Sequence, residues 1–239
     1  MRNTTTIALK EFKSYLASPM AYIVAGIFLF ATGFFFGNPF LSPSTYFETS
    51  IKGFLEIGSI LLLLLTAVLT MRLLAEERKM GTMELLLTAP VRDSEIILGK
   101  FLGSLGTLIA MLALTFYYPL LLIIFGDPDM GPIGTGYLGL FLLSSVCLAV
   151  GIFASSLTSN QIVSAVVAGG ILFALWFIGD AAGLLPEALG EVVGYLSLSY
   201  YFPDFIRGVI DTRSIVYYLS ITVLFIFLAI RSLENSRWS

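Results

Sequence analysis

Most of the chemistry that this chain could offer lies in one charged stretch, Met71 to Lys100, between two long apolar runs. The stretch carries five cations and five anions, and such groups form charge-assisted hydrogen bonds across protein interfaces. Gly81 and Pro90 bracket the piece Thr82 to Thr88, which predicts a compact amphipathic helix there. The stretch is therefore predicted to press on a soluble partner. The alternative is an ordinary charged loop that only sets membrane orientation.

Several kinds of catalytic site are excluded by residues that the sequence lacks. It contains no histidine, so His-ligated metals, His general bases and HExxH proteases are ruled out. Its one Gly-Lys pair, Gly99-Lys100, is followed by Phe101, where a phosphate-binding P-loop needs Ser or Thr. The single cysteine, Cys147, lies in an apolar run and is expected to serve packing. We therefore expect no catalytic residues, no metal site and no ATPase activity in this chain.

Composition places the chain in a lipid bilayer. With 57% hydrophobic and 12% charged residues, it is too apolar for a soluble domain. Runs of about twenty apolar residues match the thickness of the hydrocarbon core. Six such runs are present, which predicts an all-α integral membrane protein with six transmembrane helices: Met20 to Gly37, Gly53 to Met71, Leu98 to Phe125, Gly136 to Leu157, Ile162 to Gly179 and Ile215 to Ile230.

An amphipathic helix is predicted ahead of the first span. One face carries the apolar residues Ala8, Leu9, Phe12, Tyr15 and Leu16, and the other carries the polar residues Lys10, Glu11 and Ser14. This pattern is typical of a helix in the membrane interface, and Pro19 then redirects the chain into the first span. A signal peptide is the alternative, but a charged amphipathic helix precedes the apolar run and no small-residue cleavage site follows it.

Two further short helices are predicted between the fifth and sixth spans, where the chain is too polar to cross and too apolar for a free loop. These are Pro186 to Leu196 and Pro203 to Ile210, each with proline in its first turn. Glu187 and Asp204 would lie near the positive ends of the helix dipoles.

The basic residues predict the orientation of the chain. If both termini are cytoplasmic, ten basic residues lie inside against Lys52, Arg207 and Arg213 outside, which obeys the positive-inside rule. The inner set is Arg2, Lys10, Lys13, Arg72, Arg78, Lys79, Arg92, Lys100, Arg231 and Arg237.

The charged stretch resembles the cytoplasmic loop of ABC-2 type exporter permeases. The resemblance rests on the order Glu77-Arg78-x-x-Gly81-Thr82-x-Glu84-Leu85, then Pro90, then Gly99-Lys100 opening the next span. In that family the loop between spans two and three carries a coupling helix that sits in a groove of the ATPase subunit. The resemblance implies an ATPase-coupling site made of Glu77, Arg78 and Glu84 as polar contacts, Leu85 and Leu86 as apolar anchor, and Gly81, Thr82 and Pro90 as shape-determining residues.

A second stretch narrows the resemblance. Three segments look like the gliding-motility and copper-enzyme-maturation subgroup of these permeases. They are Tyr200-Tyr201-Phe202-Pro203-Asp204-Phe205-Ile206-Arg207-Gly208-Val209-Ile210-Asp211, the tail Leu233 to Trp238 and the pair Ser18-Pro19. For Tyr200 to Phe202, an aromatic belt at the outer interface is an equal alternative to contact with a substrate.

The family resemblance implies the organisation and the partners of the chain. It would be one transmembrane domain, residues 1–239, with an elbow helix at 1–19, a coupling loop at 72–97 and external helices at 180–213. Expected partners are two copies of an ABC ATPase subunit, which would hold ATP–Mg while this chain holds no cofactor, and a second copy or a homologue of the permease. A periplasmic or membrane-anchored auxiliary subunit and membrane lipid are further expected partners, and nucleic acid is not one.

The implied function is export of an unidentified substrate across the bacterial inner membrane. The alternative is an ABC subunit that transmits ATPase work to periplasmic or outer-membrane machinery without moving a solute. A secondary transporter is disfavoured because no ionisable residue is expected at mid-span and the sequence shows no convincing internal repeat.

Overall fold

The computed structural model describes residues 2–41, 51–82, 91–126, 128–182 and 186–236. The described residues form an all-helical structure, with 87% of them in helices and none in a strand. The helices are α1 (Arg2–Ala17), α2 (Pro19–Leu41), α3 (Lys52–Thr70), α4 (Ala75–Lys79), α5 (Asp93–Leu114), α6 (Tyr117–Phe125), α7 (Met130–Leu157), α8 (Gln161–Ala182), α9 (Glu187–Tyr195), α10 (Leu198–Ile206) and α11 (Thr212–Ser236).

Within the described residues, six stretches are long and apolar enough to cross a bilayer, which confirms the predicted fold class and makes the chain a multi-pass membrane protein. They are Pro19–Gly37, Lys52–Lys79, Asp93–Phe125, Met130–Leu157, Gln161–Ala181 and Thr212–Asn235. The fourth begins at Met130 rather than at the predicted Gly136. The Asp129 carboxylate caps the helix there by accepting from the Gly131 N–H at 3.0 Å.

Helix α7 forms the centre of the bundle and packs against α3, α5, α8, α10 and α11. Glycines allow these close approaches. A Cβ at Gly139 would lie 2.8 Å from Cγ of Phe205, and one at Gly151 would lie 2.7 Å from Cβ of Thr70. Most of α7 is buried, whereas only a minority of α2, α8 and α11 is covered within the subunit.

The third span consists of two helices, because Thr115 and Phe116 separate α5 from α6. Pro119 has no N–H to donate to the carbonyl of Thr115, four residues earlier. That carbonyl accepts instead from the Tyr118 N–H at 3.0 Å and from the Tyr137 hydroxyl at 2.9 Å. The sequence predicts one uninterrupted run from Leu98 to Phe125, and the structure divides it where proline removes a helical hydrogen bond.

The N-terminal helix is present as α1, and the structure shows which of its residues pack on α5. Leu9 and Leu16 are exposed, whereas Glu11, assigned to the polar face, is directed at α5. The face that packs on α5 includes Ile7, Phe12 and the fully buried Tyr15. The pattern of apolar residues could not separate a face that meets lipid from a face that meets protein.

The two short helices near the C-terminus are also present. The first closely matches its prediction, whereas the second spans Leu198–Ile206 and contains Pro203 in its interior. It ends early because Gly208 adopts φ +87°, and the Gly208 and Val209 N–H groups donate to Phe205 and Asp204 carbonyls. This left-handed glycine closes the helix four residues before the predicted end.

The two ends of the bundle differ in the elements that they carry. We call the end that carries α1, α4 and the first turns of α5 the basic end. The opposite end, which carries α9, α10 and the start of α7, is called the acidic end.

Candidate coupling site at the basic end

The segment after α3 leads from the bundle to its surface. Leu73, Leu74 and Ala75 are fully buried at the start of α4, while Lys79 and Met80 at its other end are exposed. This helix of five residues is therefore anchored at its N-terminus and points outwards at its C-terminus.

Ser155 of α7 provides the anchor for α4. Its hydroxyl oxygen accepts hydrogen bonds from the Leu74 and Ala75 N–H groups, both at 3.0 Å, and its hydroxyl donates to the Met71 carbonyl at 3.2 Å. The first N–H groups of a helix have no acceptor within it, and a cap residue usually supplies one. Here the cap comes from another span, so the start of α4 is fixed to the centre of the bundle.

Gly81 ends α4. It adopts φ +70°, a conformation that favours glycine, and its N–H donates to the Arg78 carbonyl at 3.2 Å. The Thr82 hydroxyl donates to the Glu77 carbonyl at 3.3 Å. The chain thus turns sharply at Gly81, immediately before the predicted helix Thr82 to Thr88.

A buried lysine joins three elements at this end. Lys100 of α5 lies 2.9 Å from Oε1 of Glu77 on α4 and 3.4 Å from Oε2 of Glu11 on α1. Its side chain is only 4% exposed. We call these three residues the Lys100 node. Because a buried cation is costly without partners, the node favours one arrangement of α1, α4 and α5.

Glycines on α5 let α1 approach closely enough for this contact. A Cβ at Gly99 would lie 2.7 Å from Cβ of Ile7, and one at Gly103 would lie 2.7 Å from the Ala8 carbonyl oxygen. Real side chains do not come so close, and small residues of this kind line tightly packed helix pairs in membranes. The two glycines flank Lys100, so they bring Glu11 within reach of its ammonium group.

The C-terminal part of α1 is tied to the end of α3. The Tyr15 hydroxyl donates to the Leu69 carbonyl at 2.9 Å, and the Arg72 guanidinium lies 4.9 Å from the centre of the Tyr15 ring. Arg72 also donates to the Ser18 hydroxyl at 2.7 Å. Burial, and then the charge of Glu11, raises the pKa of Tyr15, so this phenol remains a neutral donor.

Part of the site is buried without hydrogen-bond partners among the residues that the structure describes. These atoms are Oε2 of Glu77 and Nε and Nη2 of Arg78. Buried polar groups in proteins are nearly always hydrogen-bonded. Within the described part of the site, α4 therefore carries N–H donors of Arg78 and a carboxylate oxygen of Glu77 that are available to a further partner.

The predicted site residues fall into two groups. Glu77, Arg78, Gly81 and Thr82 lie together on α4 and its terminal turn, with Glu77 directed at Lys100 rather than outwards. Glu84, Leu85, Leu86 and Pro90, with the rest of the predicted coupling helix, lie outside the described residues. The role of all eight toward a partner stays a prediction.

Sequence reasoning missed the residues that hold the site in place. Glu11 was assigned to the polar face of the N-terminal helix, and Lys100 to the inner basic set and to the motif that opens the third span. No role at this site was predicted for Ser155. A signal was available for Lys100, since it is a cation within the predicted span Leu98 to Phe125, between Gly99 and Gly103. The link from Ser155 to α4 has no signal in one sequence, because it joins residues eighty positions apart.

Comparison with known proteins supports the motif reading at the family level. Residues 5–229 match the family model described as "ABC-2 family transporter protein". Over 179 residues the chain is 30% identical to the "Probable multidrug ABC transporter permease YbhS" of Escherichia coli strain K12, and the same holds for its Escherichia coli O157:H7 counterpart. The alignment covers 70% of this chain and 45% of each relative, so the chain spans about half the length of the curated relatives it matches.

Proposed function

Because the chain belongs to the ABC-2 family of transporter proteins, we propose that it is a permease subunit driven by a separate ATPase that binds at α4 and the following loop. The Lys100 node carries this proposal. It connects the exposed tip of α4 to the third span and to α1 through one buried cation. Force applied at α4 would therefore reach two further helices without passing through a flexible loop.

The proposed contact has a polar part and an apolar part. Arg78, whose Nε and Nη2 atoms lack partners among the described residues, and Glu84 would pair with charged or polar groups of the ATPase. Leu85 and Leu86 would bury apolar area in its groove, at roughly 25 cal/mol per Å². Gly81 would give the loop its sharp turn. Glu77 holds α4 to Lys100 through Oε1, and its Oε2, which has no partner among the described residues, would accept a hydrogen bond from the ATPase.

The proposed cycle moves rigid bodies between two arrangements. Closure of two ATPase subunits around ATP–Mg would press on two copies of α4, one in this chain and one in a second permease copy or a homologue. Through Ser155 and the Lys100 node, the displacement would pass to α7, α1 and α5. Switching of this kind between discrete packings is a common route for coupling distant sites.

We further propose that the basic end faces the cytoplasm of a bacterial cell and that the membrane is the inner membrane. The ten-to-three distribution of basic residues supports this orientation. Lys79→Cys in a Cys147→Ala background tests it, since Cys147 is the single native cysteine. Labelling by a membrane-impermeant reagent is expected only in opened cells, and labelling in intact cells would contradict the orientation.

Export of a solute is the function that the family and the named relatives support best. Those relatives are named as a probable multidrug permease, and we accordingly propose a small-molecule substrate. The resemblance of Tyr200 to Asp211 to gliding-motility and copper-enzyme-maturation permeases keeps transmission of mechanical work as the alternative. A native complex purified with its partners would separate the two, because only the alternative requires periplasmic machinery for ATPase stimulation.

The docking assignment is tested by co-purification with the ATPase. Glu84→Lys and Leu85→Asp are expected to leave membrane insertion near normal and to weaken ATPase binding by at least about tenfold, since each removes a charge-assisted or apolar contact. Leu64→Ala on the exposed face of α3 is the control and should bind normally. Unchanged binding and stimulated ATP turnover in both loop variants would show that the charged stretch only sets orientation.

A further inference from the structure

A cavity lies at the acidic end, between the first turns of α3, the middle of α8 and one face of α10. Its volume is about 510 Å³, within the range of about 300 to 1,000 Å³ that small-molecule sites occupy. It is far from the Lys100 node and from α4, because α3 begins at the cavity and ends at the basic end. The proposed coupling function does not use it.

Charged and apolar side chains divide the lining of the cavity. Lys52 and Glu56 lie one turn apart at the start of α3, and Arg207 lies just beyond the last residue of α10. All three are exposed. Ile60, one turn further along α3, lines the apolar part with Trp176 and Phe202, and the latter two are buried. The cavity therefore has a charged mouth and an apolar floor.

The order of side chains on both helices produces this division. On α3 the cavity face runs from charged to apolar residues with the helical repeat, at positions 52, 56 and 60. On α10 the positions 202, 203, 206 and 207 share a face, and the basic residue comes last. Because both helices line the same cavity, the charged start of α3 and the charged end of α10 meet at its rim.

The charges select the chemistry of the occupant. Two cations and one carboxylate suit a group that carries a phosphate and an ammonium close together. A simple anion would meet the Glu56 carboxylate, and a simple cation would meet Lys52 and Arg207. The apolar floor favours a molecule with a hydrocarbon part over a wholly polar solute. An amphiphile with a zwitterionic headgroup satisfies both requirements.

We infer that this cavity binds a phospholipid of the phosphatidylethanolamine type, with its phosphate at Lys52 and Arg207 and its primary ammonium at Glu56. The guanidinium and ammonium groups donate charge-assisted hydrogen bonds to phosphate oxygens. The Glu56 carboxylate accepts from the lipid ammonium. Ile60, Trp176 and Phe202 receive the glycerol end of the acyl chains.

Lipid titration of the purified full-length chain tests this inference. The delipidated protein in detergent is titrated with palmitoyl-oleoyl phosphatidylethanolamine, phosphatidylglycerol or phosphatidylcholine, and bound lipid is counted by native mass spectrometry. The phosphatidylethanolamine is expected to bind at least about fivefold tighter than the other two. Phosphatidylglycerol lacks the ammonium, and the trimethylated nitrogen of phosphatidylcholine cannot donate a hydrogen bond to Glu56.

Paired variants assign the two halves of the headgroup. Arg207→Gln should weaken binding of all three lipids by about tenfold, because each contains the phosphate. Glu56→Gln should remove the preference for phosphatidylethanolamine and leave phosphatidylglycerol binding unchanged or stronger. The matched controls are Arg213→Gln and Asp180→Asn, which alter exposed charges at the same end outside the cavity. Both should retain the wild-type preference.

A third variant fills the apolar part without changing a charge. Ile60→Trp, at a partly exposed position, should reduce binding of every lipid while the thermal unfolding temperature stays near that of the wild type. Equal binding of the three lipids to the wild type would overturn the inference, as would an unchanged preference in Glu56→Gln. Cross-linking of Ile60→Cys between two copies of the chain would also overturn it, since protein would then cover the cavity.

Discussion

The two ends of the bundle are held together by different kinds of contact. At the basic end a buried lysine, two carboxylates and a guanidinium over a tyrosine ring connect α1, α3, α4 and α5. At the acidic end, uncharged hydrogen bonds connect α8 and α11 to α10. Ser197 and Ser199 donate to the Trp176 carbonyl, both at 2.8 Å, and the Tyr218 hydroxyl donates to the Leu198 carbonyl, also at 2.8 Å.

This difference separates a switchable contact from a fixed one. A buried ion pair is stable only while its geometry is good, and losing one partner leaves an uncompensated charge. Losing a hydrogen bond between a neutral hydroxyl and a carbonyl costs less free energy. Such a bond fixes the helices but responds less strongly to small changes in geometry. The basic end therefore has contacts suited to a moving element, whereas the acidic end has contacts suited to a cap.

The largest expected effect comes from removing the cation of the Lys100 node. Lys100→Met should leave the half-buried Glu11 and Glu77 carboxylates without their shared cation and cost up to about 3 kcal/mol. The measurement is thermal unfolding of the purified protein in detergent. The triple variant Lys100→Met, Glu11→Gln, Glu77→Gln removes the charges together and should recover most of this loss. If the single variant were as stable as the wild type, the node would contribute nothing to the fold.

The next effect tests the close approach of α1. Gly103→Ala places a Cβ 2.7 Å from the Ala8 carbonyl oxygen and from Cβ of Glu11, so α1 must shift, at about 1 to 3 kcal/mol. Gly169→Ala on α8 is the matched control, because its added Cβ has no neighbour within 4 Å in the described part of the chain. Proteolysis of the N-terminal helix and thermal unfolding should distinguish them. Equal stability of the two variants would contradict the packing of α1 on α5.

A smaller and more local effect is expected at the end of α4. No residue that the structure describes lies within 4 Å of a Cβ added at Gly81, so Gly81→Ala is expected to act through φ +70° and to cost about 1 to 2 kcal/mol. Gly81→Asn should cost less, since asparagine tolerates this conformation. Hydrogen exchange of the Met80 and Gly81 amides reports the change. Faster exchange in the alanine variant than in the asparagine variant is expected, and the reverse order would argue against the left-handed turn.

The smallest effect is expected at the acidic end. Tyr218→Phe removes the hydroxyl that donates to the Leu198 carbonyl, and hydrogen bonds between membrane helices contribute about 0.6 kcal/mol on average and 1.7 at most. The thermal unfolding temperature should fall slightly, while ATPase binding at the other end stays normal. A loss as large as that of Lys100→Met would erase the contrast between the two ends.

Sequence periodicity and composition were enough for the six spans, because long apolar runs have few alternatives in a membrane protein. Local chemistry could have improved the boundaries. Asp129 is a helix cap, Gly208 is a left-handed helix end, and Pro119 removes the hydrogen bond to Thr115. Each of these follows from residue type, yet only neighbouring packing decides whether a proline ends a helix or lies within it, as Pro203 does.

The candidate site was predictable as a motif but not as a structure. The spacing of Glu77, Arg78, Gly81 and Thr82 along the sequence was enough to predict where the candidate site lies. Which carboxylate would turn inwards was not predictable, because Lys100 reaches Glu77 and Glu11 across 23 and 89 residues of sequence. Contacts of this kind depend on how closely helices approach, and a periodic pattern does not contain that distance.

The contact between α1 and α5 also sets a helical phase. Each residue of an α-helix turns it by about 100°, so deleting one residue between Ile7 and Glu11 would rotate one of them away from α5 while the other stayed in place. Ile7 packs against Gly99, and Glu11 packs against Gly103 and reaches Lys100. The number of residues between Ile7 and Glu11 is therefore fixed, because their spacing on α1 matches the spacing of the two glycines on α5.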